Sequence, residues 1–195
     1  MASVVEICNL ALSLIGADNI NSLSEATPQA RACAQFYEMT RDGLLVSFPW
    51  HFATHQRALA EITNERKDLW AHAYIRPLDA LKIISLRPGG DKTSLNGDVL
   101  FAYHAQGGVI YTDVKDALLL YTARLEDSSL FPPLFVNALA CQLSGWLAMP
   151  ITRSHEVQNR CLQMAEQATR TAQMADSGDE NYIFGHKSEF VASRE

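Results

Sequence analysis

From Val4 to Ile15 apolar residues fill nearly every position, and only Glu6, Asn9 and Ser13 form a polar stripe. Ser3, followed three residues later by Glu6, has the form of a capping box, and Gly16 supplies a stop. The pattern predicts a helix covered on more than one side. A second helix is expected to start at Thr27-Pro28, with Thr as N-cap and Pro at the first helical position, burying Ala30, Cys33, Tyr37, Leu44 and Phe48. Gly43 weakens its last turns by ~1 kcal/mol relative to Ala.

The period breaks at Phe48-Pro49-Trp50-His51-Phe52-Ala53. Proline removes an N–H and pushes Phe48 out of the α region, so the helix ends there. Trp50 and Phe52 are expected to leave on one side of an extended strand, both rings buried as a hinge between two lobes. The runs Leu81 to Leu86, Val99 to Tyr103, Val109 to Thr112 and Leu118 to Thr122 are rich in β-branched and aromatic residues. Asn96-Gly97 and Gly107-Gly108 between them are hairpin signals. They predict an antiparallel meander, with Thr63 to Ala73 a loop or short helix at its edge.

Helical spacing returns at Pro132-Pro133, and Leu134, Phe135, Ala138, Leu139, Gln142, Leu143, Trp146 and Leu147 form a broad face expected to end at Pro150. Thr152 is expected to cap a last helix, apolar along Val157, Cys161, Met164, Ala165, Ala168, Ala172 and Ala175. The short link between the two makes them an antiparallel pair. After Ala175 the run Asp176-Ser177-Gly178-Asp179-Glu180 reads as a stop. The fold class is therefore α+β: a mainly helical, antiparallel four-helix bundle (1–48 and 126–176), an inserted antiparallel β domain (49–125) and an extended C-terminal arm (177–195). The arm carries Tyr182, Ile183, Phe184, Phe190 and Val191 without amphipathic period, too few to offset the cost of ordering it alone. It either stays unfolded or docks, on its own bundle or across a subunit boundary; aromatic anchors on an arm suit a joint made only during assembly.

Composition adds limits. At 48% hydrophobic and 19% charged, the 195 residues need no staple to fold. The net charge of -6 argues against an exposed face for nucleic acid or acidic lipid. Cys8, Cys33, Cys141 and Cys161 are widely spaced among apolar neighbours, as buried free thiols are. Glu6 and Asn9 interrupt any secretory signal, and no stretch reads as a membrane span.

Chemistry is sparse. His51 and His55 stand four apart, but Phe52 occupies the place where a metalloprotease helix needs its Glu. Gly89-Gly90-Asp91-Lys92-Thr93-Ser94 mimics the end of a phosphate loop without the Gly before Lys or a helix after it. The remaining histidines, His72, His104, His155 and His186, show no nucleophile or carboxylate spacing. Arg76, Lys82 and Arg87, with His104 expected near, place positive charge in the β region, as a solvated face or a docking patch for an acidic partner.

Asn9-Leu10-Ala11-Leu12, Ile15-Gly16, Ile20, Ser22-Leu23-Ser24-Glu25, Ala30, Cys33, Tyr37, Arg41, Leu44-Leu45 and Pro49-Trp50-His51-Phe52-Ala53 resemble the tail tubular protein A, or head-to-tail adaptor, family of short-tailed bacteriophages. Pro77-Leu78-Asp79-Ala80-Leu81-Lys82, Val109-Ile110-Tyr111-Thr112-Asp113 and the C-terminal helix pair continue the resemblance to about residue 175. It implies a structural virion protein at the head-to-tail junction, made in the host cytoplasm. Such adaptors form a ring, commonly dodecameric, with portal protein above, tail nozzle or tube below and duplex DNA passing non-specifically through the lumen. No catalytic residue comes with the resemblance, and no cofactor, metal or membrane contact is expected. The alternatives are an adaptor of a long-tailed phage and a small cytoplasmic enzyme whose active site has no sequence signature.

Overall fold

A computed structural model describes residues 2–89 and 101–178. The fold is α+β, and the described residues form four long helices and two antiparallel three-stranded sheets. Helix α1 (Val4–Leu14) opens on the expected capping box: the Glu6 N–H donates to Ser3 Oγ at 3.2 Å and the Ser3 N–H to Glu6 Oε2 at 2.7 Å. The polar stripe has a task. Asn9 donates to the Ile20 carbonyl at 2.9 Å and accepts from its N–H at 2.8 Å, fastening the return loop to the helix. Helix α2 (Pro28–Ser47) starts at Thr27, whose Oγ1 accepts from the Ala30 N–H, and stops where Phe48 turns extended ahead of Pro49.

Helix α3 (Pro133–Thr152) is the hub, packing against α1, α2 and helix α4 (His155–Gly178). By length and composition it could also cross a membrane, contrary to the expectation that no stretch comes close; more than half of that stretch is buried inside the protein. Pro150 does not end it. The proline falls in the last turn, so its missing N–H forfeits one helical bond, to the Trp146 carbonyl, but breaks no following turn, and Thr152 donates to the Ala148 carbonyl at 2.7 Å. Arg153, left-handed at φ 53°, makes the reversal, and the next N-cap is Ser154 rather than Thr152, its Oγ accepting from the Val157 N–H. Helix α4 runs through the expected stop to Gly178, and Asp176 within that stop accepts from the His51 N–H.

The strands are β1 (Thr54–Ala58), β2 (His72–Ile75), β3 (Ala80–Pro88), β4 (Tyr103–Gln106), β5 (Val109–Thr112) and β6 (Ala117–Ala123). They pair as β1-β6-β3 and β2-β5-β4, which corrects the meander. Among the described strands, only β4 and β5 are neighbours in both chain and sheet; Gly107 and Gly108, at φ 60° and 81°, make their turn. Strand β6 takes the middle because a central strand is buried on both faces, and Leu118-Leu119-Leu120-Tyr121-Thr122 is the most continuous apolar run available. The end of the segment assigned to a loop or short helix forms part of β2. Asn96-Gly97, the start of the run from Val99 and the phosphate-loop mimic from Gly90 onward lie outside the described residues. One hydrophobic cluster runs through helices and sheets alike.

Candidate interaction surface at the helix–sheet joint

Leu44, Leu45, Val46 and Ser47 bring four carbonyls to the end of α2 that no further helical turn can satisfy. Trp50 folds back to meet them: its indole N–H donates to the Leu44 carbonyl at 2.9 Å, and the ring is 1% exposed. Lys82 Nζ, from β3, reaches the Val46 carbonyl at 3.1 Å. The extended strand expected at Trp50–Phe52 is instead a 3-10 turn, His51–Ala53. The Ala53 N–H and the Thr54 hydroxyl both donate to the Trp50 carbonyl, at 3.1 and 2.7 Å, and this closes the turn before β1 begins.

The turn aims Phe52 at the same cluster. Phe48 and Phe135 stand edge-on to Trp50 at 5.2 and 5.1 Å, and Phe52 lies 4.9 Å from Phe135 and 6.1 Å from Phe131. Trp50 is fully buried, Phe48 and Phe52 partly so, and Pro49 is exposed. Phe131 and Phe135 complete the knot from 81 and 85 residues beyond Trp50. Their spacing around Pro132-Pro133 marks a rigid entry to α3, but nothing in sequence pairs it with Trp50.

Beside this knot runs an apolar groove of about 210 Å3, lined chiefly by Trp50, Phe52, Pro132, Leu134, Ala172 and Ala175. Asp176 sits at its rim. One carboxylate oxygen, Oδ2, accepts from the His51 N–H at 3.0 Å and meets His51 Nδ1 at 2.9 Å, tying the end of α4 to the turn. Tyr182, Ile183, Phe184 and Phe190 lie outside the described residues.

The basic candidates stand in different settings. Arg76 is spent on the carbonyls of Ala80 and Leu81, at 2.6 and 3.1 Å, bracing a turn that leaves Leu78 fully exposed. Lys82 caps α2, and Arg87 is part-buried on β3 opposite Leu118. His104 belongs to the other sheet, near Gln106 and therefore Arg66, whose guanidinium lies 5.2 Å over the Tyr111 ring.

The four cysteines are buried free thiols, as their neighbours predict. A hydrogen bond with Cys33, and burial, push the Cys8 thiol up, which keeps it protonated. His55 lies on β1 with its ring 6.1 Å from that of Tyr121. Among the described residues, no group of three or more His, Cys, Asp or Glu is placed to hold a metal ion. Large apolar side chains do reach the surface of every helix: Leu10 on α1, Met39 on α2, Trp146 on α3, Leu162 and Met174 on α4. Trp146, 52% exposed, stacks on Phe36 of α2 at 6.0 Å and shares a groove with Leu162 of α4. The chain matches no known protein-family model and no curated protein.

Proposed function

We propose that the protein is a structural virion component, a head-to-tail adaptor that assembles as a ring, dodecameric as in the family it resembles, between portal and tail nozzle or tube. In this reading the four helices are one antiparallel bundle interrupted by the β domain, and duplex DNA passes non-specifically through the lumen. The observation that carries it is the uncovered apolar side chains on all four helices. A closed ring joins two different faces of each copy, so it needs apolar contact on more than one side. The net charge of -6 fits a wall that does not hold the DNA it surrounds.

The test is electron microscopy of the full chain mixed with the portal protein of the same phage. The expected result is a stoichiometric ring seated on the portal, lost in Trp146→Asp while that variant keeps its helix content. A chain that never joins the portal overturns the assignment.

A further inference from the structure

The groove beside Trp50 has an occupant of matching chemistry within reach. Its lining is aromatic, proline, leucine and alanine with Asp176 at the rim, and an apolar cavity of roughly 150 Å3 already admits a benzene ring, so about 210 Å3 has room for one aromatic side chain. Ala175 and Asp176 border it, and the chain continues from Gly178 through 17 more residues of the sequence. Tyr182-Ile183-Phe184 begins four residues past Gly178, a span of roughly 13 Å when extended. Gly178 also allows the chain to reverse where α4 ends.

We propose that this groove is the docking site of the chain's own Tyr182-Ile183-Phe184 segment, seated in the free protein with one ring inserted beside Trp50. The source is the same copy. A tether this short gives an effective concentration on the order of millimolar, far above the concentration of a second copy in dilute solution. The Asp176–His51 contact takes part by fixing the last turn of α4, and so the point from which the segment departs. In the free chain the docked segment covers apolar surface and keeps its aromatic anchors from other partners, whatever those partners are.

Limited chymotrypsin digestion of the full chain, read by mass spectrometry at Tyr182 and Phe184, tests this. Cleavage there tracks the undocked population when docking is fast. Ala175→Trp, at an exposed helix position on the groove edge, fills the groove without disturbing the core, and circular dichroism checks the fold. The expected result is slow cleavage in the parent chain, the same from about 1 to 100 µM protein, and roughly tenfold faster in Ala175→Trp. Equal rates in the two chains overturn the proposal. Protection that grows with protein concentration also overturns it, by assigning the groove to the segment of a second copy.

Discussion

The helices and the sheets reach burial by different routes. Helix α3 is surrounded by α1, α2 and α4 and buries most of its length, so each neighbour gains a partner along several turns. In the sheets burial concentrates on the middle strands β5 and β6, while β1 and β4 are exposed along nearly their whole length. Two three-stranded sheets with such edges have little core of their own. They depend on what ties them to the helices: Trp50, the Lys82 contact with Val46, and Asp42 of α2, which pairs with Arg41 and with Arg124 just past β6 at 2.8 and 2.9 Å.

The largest expected effect therefore comes from the tie itself. Trp50→Ala removes a fully buried ring, its hydrogen bond to Leu44 and its edge contacts with Phe48 and Phe135, a loss of about 3–5 kcal/mol. Because one core cluster spans both regions, urea unfolding followed by helical circular dichroism and by near-ultraviolet signals should shift as one transition. A variant whose helices unfold at the parent's midpoint while the sheets melt early would break the comparison, making the regions independent units.

Buried tyrosines sharpen it. Tyr74, on β2, donates to the Val114 carbonyl at 2.9 Å, so Tyr74→Phe orphans a buried acceptor and should cost about 1–2 kcal/mol. Tyr37, on α2, is just as buried but its hydroxyl has no hydrogen-bond partner among the described residues, so Tyr37→Phe should be neutral or stabilising at pH 7. Burial, opposed by Arg41 and reinforced by Cys8 and Glu38, leaves the Tyr37 phenol pushed up to about 12. An unfolded tyrosine ionises near about 10, so above that pH the unfolded chain holds fewer protons than the folded one. The Tyr37 contribution is intact below about pH 10 and is lost as pH rises to about 12. Burial raises Tyr74 and Tyr121 as well, so Tyr37→Phe should flatten the alkaline loss without removing it. An unchanged slope in Tyr37→Phe would assign the loss to the sheet tyrosines alone.

The same contrast governs what the sequence made legible. Caps and apolar period are local, and Ser3, Thr27, Pro133 and the Gly107-Gly108 turn mark boundaries the structure keeps. Strands β1 and β2 carry mixed polar residues, such as Thr54-His55-Gln56-Arg57, and exist because β6 and β5 offer them an edge. No window of sequence contains that partner. The joint was half legible. Phe48, Pro49, Trp50 and Phe52 stand out as an aromatic break, whereas Phe131, Phe135 and the Asp176 clasp come from elements about 80 and 125 residues further on. Charge in sequence does not reveal that Arg76 and Lys82 meet backbone carbonyls.

The smallest expected effect lies within α2, at its one weak position. Gly43 is exposed, directly before Leu44 and three residues before Val46, whose carbonyls Trp50 and Lys82 satisfy, and a Cβ built there meets nothing within 4 Å. Glycine in a helix interior gives up more backbone entropy on folding than alanine, so Gly43→Ala should stabilise by about 0.5–1 kcal/mol. The gain should appear undiminished in the Trp50→Ala background, because the methyl group touches no part of the knot and effects that share no partner add. If Gly43→Ala instead destabilises the parent chain but not Trp50→Ala, the last turns of α2 must flex for the knot to close. The end of α2 would then belong, mechanically, to the sheets.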